Sequence, residues 1–438
     1  MSASDDRLVR RLHLTVGERL HDRDKEDEAA GRPTLDSASR QQFARHLIRE
    51  EITRVNTDRL GDGGEVLTPE DETLLERGVF NRLFGLGRLQ DYIDDPQYSD
   101  IKVNGCDVVW LTRRNGTKFQ GEPVASSDEE LIEIIQTQAR RGSLSEKKWD
   151  YSNPTLDLQL PSGDRLNALA WVVQRPSISI RRHNFDLYRL KQLVGPTMSE
   201  SLYHFCRAAV KGHFNVLVAG GTGAGKTTLL RCLINEIDSE ERIVTVEDSL
   251  ELGLHRFGDR HPDLIEAEAR EANMEGVGAV PMHELVRNSL RMDPDRVIVG
   301  EIRGTEVLPM MLAMSQGSDG SLSSVHADSS HAVFSRLQMY MAMTPERFDV
   351  KSTNLMVANA IHFIIHLAQL PTQERVITSV REVVGADGEM MISNEVYTPD
   401  ETRRAVPAYP FQDATMERLE RAGFDRGWHT PGRGAWTL

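Results

Sequence analysis

A glycine-rich stretch near the middle of the chain constrains the fold more than any other feature of the sequence. Residues 214–219 form an apolar run, residues 220–227 read Gly-Gly-Thr-Gly-Ala-Gly-Lys-Thr, and a helical pattern continues through Ile234. This order is typical of a buried strand, a phosphate-binding loop of the pattern GxxxxGK[ST] and a helix. The alternative, a Gly-rich turn before an ordinary helix, accounts for the strand and the helix less well.

The residue types in this loop suit a nucleoside triphosphate. Glycines leave room for backbone N–H groups to approach phosphate oxygens, and the following helix turns its positive N-terminus toward the anion. Lys226 can reach the β- and γ-phosphates, and the hydroxyl of Thr227 can bind Mg²⁺, so ATP and Mg²⁺ are the expected cofactors. The residues expected to hold the nucleotide are Gly220, Gly221, Thr222, Gly223, Ala224, Gly225, Lys226, Thr227 and Thr228.

An acidic residue follows a second apolar strand downstream. The run 297–299 leads into Gly300 and Glu301. In a doubly wound parallel sheet, the carboxyl ends of the strands face one crevice, where the phosphate-binding loop also lies. Glu301 is therefore the best candidate to orient and polarise an attacking water, and the competing interpretation is a solvated acid at a strand end.

Three more acids follow the predicted strand at 243–246. They are Glu247, Asp248 and Glu251. Carboxylate oxygens are the ligands that Mg²⁺ prefers, so a metal site including Thr227, Asp248 and Glu301 is expected at this edge of the sheet. Spacing alone does not divide the metal and water roles among the three acids.

Other candidates carry weaker signals. His326 ends a third predicted strand, and a lone histidine there is more often a hydrogen-bonding core residue than a sensor. Arg181 and Arg182 follow an alternating strand pattern and either form a solvated face or reach a γ-phosphate across a domain cleft.

The length and the changes in pattern predict an α/β protein of two to three domains. A charged, mobile tail followed by one or two helices is expected at 1–70, including one helix capped by Ser37 or Ser39, and another helix is expected to start at Thr68. The apolar face of the latter comprises Leu74, Leu75, Val79 and Leu83. The remaining ranges are an α+β domain at 71–185, a linker at 186–197, a doubly wound ATPase domain at 198–375 and a C-terminal extension at 376–438.

Composition argues against several classes of protein. Lysine and arginine total 52 against 67 aspartates and glutamates, a formal charge of −15, which disfavours general binding of polyanions, although a local basic pore stays open. No apolar run reaches the roughly 20 residues of a membrane span, and the N-terminus lacks the apolar segment of a signal peptide, so a cytoplasmic location is expected. Cys106, Cys206 and Cys232 are expected to be reduced packing residues.

Five motifs in order, GGTGAGKTT, IVTVEDSLEL, EAREANMEGVG, LVRNSLRMDPDRVIVGEIRG and GSDGSLSSVHA, resemble the type II/type IV secretion ATPase superfamily. They are most similar to its CpaF-like branch, which serves tight-adherence pili. SDIKVNG, LPSGDRLNA and PSISIRR extend the resemblance into the smaller domain, and together it covers about residues 75–370.

The resemblance implies a hexameric ATPase in which an N-terminal α+β domain and a RecA-like C-terminal domain hold ATP between them. Such a ring associates peripherally with the inner face of the cell membrane through polytopic inner-membrane platform proteins, and it drives pilus assembly or secretion. By this resemblance Lys226 and Thr227 are the Walker A residues, Glu301 the Walker B acid, Glu251 the acid of the Asp box and His326 the second histidine of the His box. Arg165, Arg181, Arg182 and Arg303 are expected to contact the nucleotide.

The chain departs from the family pattern at two places. Residues 317–320 read Gly-Ser-Asp-Gly where the family usually has GHDG, so Ser318 replaces a histidine, and Asp328 stands where the box usually ends in asparagine. Neither change removes Lys226, Glu251 or Glu301, so hydrolysis is expected to persist, and coupling between the γ-phosphate and neighbouring subunits is the property more affected.

Two other functions stay open at this point. A conjugative DNA-transfer ATPase would be stimulated by DNA with a steep salt dependence, but the chain has few aromatics and no dense basic stripe. A nucleotide-binding scaffold without turnover would fit the altered His box, although Glu251 and Glu301 argue against it.

Overall fold

The computed structural model describes residues 3–33, 35–114, 116–141, 148–182, 189–270, 272, 276–315, 317 and 319–436. The chain divides into two compact units, Met1–His183 and Asn184–Leu438. Within the described ranges, no helix has both the length and the apolar character that crossing a membrane requires.

The first unit begins with three helices that share a core. They are α1 (Ala3–Ala29), α2 (Ser37–Gly61) and α3 (Pro69–Phe84). A mobile tail was the wrong expectation for α1, because Val9, Leu12, Val16 and Leu20 recur every three to four residues and are buried against α2 and α3.

The starts of α2 and α3 show which side chains cap these helices. The carboxylate of Asp36, rather than Ser37 or Ser39, caps α2 by accepting from the Ser39 N–H at 2.7 Å. Thr68 caps α3 as expected and forms a capping box with Asp71. On α3, Leu75, Val79 and Leu83 are buried, whereas Leu74 is 42% exposed and lies off the core face.

A six-stranded antiparallel sheet with two helices completes the first unit. Its strands are β1 (Tyr98–Asn104), β2 (Val108–Arg113), β3 (Lys118–Gly121), β4 (Thr155–Gln159), β5 (Arg165–Leu169) and β6 (Ser177–Arg181), and its helices are α4 (Leu89–Asp94) and α5 (Asp128–Arg141). The strand order is β3-β2-β1-β6-β5-β4. Alternate side chains from the strands pack with Leu131 and Ile135 of α5, so one face of the sheet is buried by helix.

The second unit is built on a nine-stranded sheet. Its strands are β7 (Val216–Gly220), β8 (Ile243–Glu247), β9 (Leu264–Glu268), β10 (Arg296–Ile302), β11 (Leu322–Val325), β12 (Phe363–Gln369), β13 (Arg375–Asp387), β14 (Met390–Pro399) and β15 (Ala405–Pro407). The order is β15-β14-β13-β12-β7-β11-β10-β8-β9. Strands from β9 to β12 in this order are parallel, and β12 to β15 are antiparallel.

Helices cover both faces of this sheet. They are α6 (Glu200–Lys211), α7 (Lys226–Ile234), α8 (Met282–Ser289), α9 (Val307–Ser315), α10 (Ala332–Met343), α11 (Val350–Ala360) and α12 (Asp413–Arg421). Val216 and Val218 of β7 pack with α6, α7 and α12, whereas Leu217 and Ala219 pack with α8 to α11. Because successive residues of β7 enter opposite cores, the sheet is doubly wound, which confirms the predicted α/β fold.

The C-terminal segment, which the sequence set apart as an extension, belongs to this unit. Strands β13 to β15 continue the sheet beyond β12, and Phe411, Leu419 and Phe424 are buried in the same core as β7. Residues 376–436 therefore contribute to the fold of the ATPase unit.

Candidate active site

The phosphate-binding loop joins β7 to α7, as the sequence predicts. A Cβ atom on Gly220 would lie 2.5 Å from the Leu367 carbonyl oxygen, so no side chain fits there. Gly225 caps α7 with a φ of +97°, in the left-handed region that favours glycine. The sequence thus meets two backbone requirements of a loop that turns sharply into the N-terminus of a helix.

Lys226 is the first residue of α7, and it is held at the centre of the site. Its Nζ donates to the carbonyl oxygens of Gly220 at 3.1 Å and Gly221 at 3.2 Å. The same atom lies 3.6 Å from Glu301 Oε1 and 3.3 Å from His326 Nδ1. With its side chain 8% exposed, this cation is placed next to the acid and the histidine that the sequence singled out.

Glu301 lies in β10, one residue before its end, and each of its oxygens has a basic partner. Oε1 lies 3.0 Å from His326 Nε2, and Oε2 accepts from Arg303 Nε at 2.6 Å. Arg303 also reaches Asp248 through Nη1, 3.3 Å from Oδ2. The strand order β8-β10-β11-β7 explains this cluster, because these residues and Lys226 follow or end four neighbouring parallel strands.

The hydrogen bonds of His326 fit a neutral ring. Burial lowers the pKa of His326, and although Glu301 raises it, the charges of Lys226 and Arg303 lower it further. In the neutral form, Nε2–H donates to Glu301 while Nδ1 accepts from the Lys226 ammonium. The ring therefore links the two charged groups of the site.

The three acids that follow β8 have different environments. Glu247 is buried, and its Oε2 accepts from the backbone N–H groups of Glu251 at 2.9 Å and Leu252 at 3.0 Å. Burial raises the pKa of Glu247 to about 8, against the lowering effect of these two hydrogen bonds. Asp248 is exposed and pairs with Arg303, and Glu251 is half-buried. The structure thus separates the environments of three acids whose roles spacing left undivided.

The other loop residues surround the start of α7. Thr227 and Thr228 lie in its first turn and are half-buried, as Gly223 is, whereas Gly221 and Thr222 are exposed and Ala224 is buried. The carbonyl oxygen of Gly223 accepts from Nε of Arg375, the first residue of β13, at 2.8 Å. Sequence reasoning missed Arg375, since no local pattern links the start of β13 to a loop 150 residues earlier.

The three arginines expected from the smaller domain belong to the first unit. Arg165 and Arg181 lie opposite each other on β5 and β6. Arg182 donates to the Asp95 carbonyl oxygen and lies 3.6 Å from Asp164, so it is held within its own unit. A contact between these arginines and a nucleotide stays a prediction.

The altered His-box turn is anchored by a residue that the sequence analysis did not single out. Asn215, fully buried just before β7, accepts through Oδ1 from the N–H groups of Gly320 at 2.8 Å and Ser321 at 3.0 Å. Ser318 lies outside the described residues, and Asp328 is exposed. The end of the turn is therefore held through its backbone.

The site suits ATP, and it suits a magnesium ion whose remaining ligands are oxygens of the bound phosphates. The glycine loop offers backbone N–H groups beside a buried lysine, which is the arrangement that phosphate recognition requires. Among the described residues, no group of three or more His, Cys, Asp or Glu side chains could hold a metal ion. Mg²⁺ is usually bound through one or two protein groups together with substrate phosphates, so it does not require such a group, and a site formed by Thr227, Asp248 and Glu301 stays a prediction.

The chain is similar to known secretion-system proteins. Residues 85–404 match the family model described as Type II/IV secretion system protein. A protein of Mycobacterium tuberculosis named "Putative conjugal transfer protein" is 31% identical over 324 residues, which are 72% of this chain and 89% of that protein. The type IV secretion system protein VirB11 of Brucella suis is 29% identical over 312 residues, covering 64% of this chain and 82% of VirB11.

A crystal structure of the VirB11 ATPase from Brucella suis in complex with sulphate was also found. It aligns with a TM-score of 0.36 and 25% identity, over 67% of this chain and 95% of that chain.

Proposed function

Because this chain belongs to the type II/IV secretion system protein family and is an ATP hydrolase, we propose that it is the motor subunit of a pilus-assembly or secretion apparatus. One observation supports the site assignment above all others. Lys226, Glu301 and His326 form a contiguous cluster directly after the phosphate-binding loop, at the carboxyl ends of neighbouring strands.

Each residue of this cluster has a role that follows from its contacts. Phosphoryl transfer needs positioning, neutralisation of charge and an oriented water. Lys226 supplies a positive charge beside the glycine loop, while Glu301 accepts a hydrogen bond from the water and orients it. His326 contacts both residues, so a change at the γ-phosphate position would affect both Lys226 Nζ and Glu301 Oε1. Bound Mg²⁺, held by Thr227 and Glu301, would neutralise phosphate charge.

Glu251 is the second acid in this proposal. It follows β8, the strand next to β10, so its backbone lies on the same edge of the sheet as Glu301. Arg303 pairs with Glu301 and Asp248 and is placed to contact an anionic group at the mouth of the site. Arg165, Arg181 and Arg182 would add cations from the first unit.

The proposed motor is a homo-hexamer of the tight-adherence pilus type. It acts at the cytoplasmic face of the inner membrane through polytopic platform proteins. The motifs that resemble the CpaF-like branch support this finer assignment. Hydrolysis moves a ring only if the ATP and ADP states favour different domain arrangements, since a ligand shifts an equilibrium by its differential affinity.

A conjugative DNA-transfer ATPase is the second candidate, and the relative named a conjugal transfer protein favours it. The formal charge of −15 and the 6% aromatic content argue against direct contact with DNA. The two candidates therefore differ in whether DNA stimulates turnover.

The test is steady-state ATP hydrolysis by the full chain with and without DNA, beside Glu301→Gln. Glu301→Gln should keep nucleotide binding and lose about 10²- to 10⁴-fold in kcat, the size of a general acid–base contribution. Mass measured with a non-hydrolysable ATP analogue should give a hexamer, and DNA should leave the rate unchanged.

Glu389→Gln is the matched control, because Glu389 is an exposed acid in the turn between β13 and β14. It should behave as the unsubstituted protein. Strong stimulation by DNA would favour the conjugative candidate, and tight ATP binding without turnover would favour a scaffold. A Glu301→Gln variant as active as Glu389→Gln would remove Glu301 from the mechanism.

A further inference from the structure

Two ionisable side chains, Arg231 and Glu247, bind the backbone that follows β8 from opposite sides. Arg231 of α7 donates through Nε to the Leu252 carbonyl oxygen at 2.7 Å and through Nη2 to the Glu251 carbonyl oxygen at 2.8 Å. Glu247 accepts from the N–H groups of Glu251 at 2.9 Å and Leu252 at 3.0 Å. The N–H and C=O groups of both residues are thus bound by side chains.

Both charged residues are almost entirely buried. Arg231 is 2% exposed within the apolar sequence of α7, and Glu247 is 3% exposed. Burying an ionisable group costs free energy unless hydrogen bonds compensate, so apolar side chains would suit these positions if packing were their only task. Their shared feature is the backbone of Glu251 and Leu252.

The same two residues connect this backbone to the rest of the active site. Arg231 lies on α7, which begins at Lys226. One short helix therefore contains both the phosphate-binding lysine and the arginine that binds the backbone of Glu251. On the other side, Glu247 packs against β10, where a Cβ atom on Gly300 would meet Glu247 Cγ at 2.9 Å. Gly300 directly precedes Glu301. The backbone of Glu251 is therefore linked to both Lys226 and Glu301.

We propose that Arg231 and Glu247 are positioning residues that fix Glu251 relative to Lys226 and Glu301, and thereby set the rate of hydrolysis. This inference rests on the proposed function, in which Glu251 acts on the substrate. Neither positioning residue touches the nucleotide in this scheme, because both act through the backbone of Glu251.

The proposal requires a hydrogen-bond acceptor oxygen on the side chain of residue 247, but that oxygen does not need to carry a negative charge. Glu247 binds two N–H groups through one oxygen, a task that an amide oxygen also performs. The charged groups that act on it are Arg231, Glu251 and Glu266. Glu247→Gln should therefore keep the hold on Glu251, whereas Glu247→Ala should lose it.

The experiment measures kcat and nucleotide affinity separately in the full chain. Glu247→Ala and Arg231→Met should each lower kcat by about ten- to a hundredfold, as a catalytic group misplaced by about 1 Å does. The Kd for an ATP analogue should change less than about threefold, since the loop itself is intact. Glu247→Gln should restore most of the kcat that Glu247→Ala loses.

Arg418→Met is the matched control for Arg231→Met. Arg418 also donates to two backbone carbonyl oxygens, of Gly212 at 2.8 Å and His213 at 2.7 Å, but these precede β7 at the opposite end of the strand. The control should lower the midpoint of thermal unfolding and leave kcat unchanged. This separates a positional effect from a general loss of stability.

A double substitution then identifies the residue through which Arg231 acts. If Arg231 works by placing Glu251, adding Arg231→Met to Glu251→Gln should cost less than about twofold more in kcat, because interacting sites are not additive. Full additivity of the two losses would overturn the inference, as would an unchanged kcat in Arg231→Met. If Glu251→Gln and Glu301→Gln both retain full turnover, the proposed function fails instead.

Discussion

Glu301 and Glu247 lie at the same level of neighbouring parallel strands, yet their surroundings differ in kind. The register of β8 and β10 pairs Val246 with Val299, and a Cβ atom on the next residue, Gly300, would lie 2.9 Å from Glu247 Cγ, so about one residue separates the two acids along the sheet. Glu301 has Lys226, His326 and Arg303 around its oxygens. Glu247 is 3% exposed, and one of its oxygens accepts from two backbone N–H groups.

This difference shows that the strand order places both acids at the same edge of the sheet, whereas the groups around each carboxyl determine what that acid can do. The oxygens of Glu301 contact Lys226, His326 and Arg303, which all belong to the cluster beside the phosphate-binding loop. Burial of Glu247 favours its neutral form, which suits an acceptor of backbone hydrogen bonds. A sequence pattern of strand followed by acid cannot distinguish the two, because the partners come from distant parts of the chain.

Among the tests of this comparison, the largest effect is expected at Gly300, which directly precedes Glu301 and packs against Glu247. In Gly300→Ala the new methyl group would lie 2.9 Å from Glu247 Cγ and 3.3 Å from its Oε2, so the carboxyl group has to move. Overpacking of this kind costs about 1–3 kcal/mol of the free energy of unfolding. Turnover should fall by about tenfold or more, because displaced catalytic groups lose rate steeply.

Urea unfolding and steady-state hydrolysis of the full chain measure both quantities. Gly385→Ala in β13 is the control, since a Cβ atom there would have nothing within 4 Å. It should match the unsubstituted chain in both assays. A Gly300→Ala protein with normal turnover would show that Glu247 and Glu301 are not coupled through the packing of Glu247 against Gly300.

The core of the site was predictable from the sequence because its chemistry is local. The glycine loop, Lys226 and the strand before them occupy one short stretch, and Glu301 directly follows an apolar run. The contacts among Lys226, Glu301 and His326 then follow from the parallel strand order. No expectation specified that His326 would bridge Lys226 and Glu301, since that depends on rotamers set by packing.

Other features could not be predicted because they depend on tertiary partners. Arg231 stands in the apolar run Leu-Leu-Arg-Cys-Leu-Ile, and a charged residue in such a run could have indicated a buried partner, but the partner is a backbone 20 residues away. Helix α1 was not predicted because its many charged residues indicated a tail, although the buried residues Val9 and Val16 lie at helical spacing. Strands β13 to β15 lacked a motif because they extend the sheet without contributing a predicted site residue.

A smaller effect is expected from pH at Glu247. Burial raises its pKa from 4.5 to about 8, so between those values the folded chain holds a proton that the unfolded chain has released. The free energy of unfolding should therefore fall as pH rises from about 4.5 to about 8, since each pKa unit corresponds to about 1.4 kcal/mol. Glu247→Gln lacks this titration, so its stability relative to the unsubstituted chain should improve as pH rises across the same range.

Urea midpoints of both proteins at pH 5, 6.5 and 8 measure this difference. Glu389→Gln, at an exposed turn, should follow the unsubstituted chain at each pH. Parallel curves of urea midpoint against pH for Glu247→Gln and the unsubstituted chain would mean that Glu247 is ionised throughout. Glu247 and Glu301 would then differ only in the groups that contact them.

The smallest effect should come from a substitution of Asp248. This residue is the exposed acid that follows β8, so it tests whether an acid other than Glu247 shares the chemistry of Glu301. Asp248 and Arg303 pair at 3.3 Å, but their side chains are 54% and 49% exposed, and such surface pairs contribute about 0–1 kcal/mol. Arg303 keeps its closer contact with Glu301 in Asp248→Asn, so kcat should change by less than about threefold, since a factor of three corresponds to about 0.65 kcal/mol. Titration of turnover with Mg²⁺ tests this directly. If Asp248→Asn needs far more Mg²⁺ and recovers at high Mg²⁺, then Asp248 binds the metal, and the exposed acid rather than the buried one shares the chemistry of Glu301.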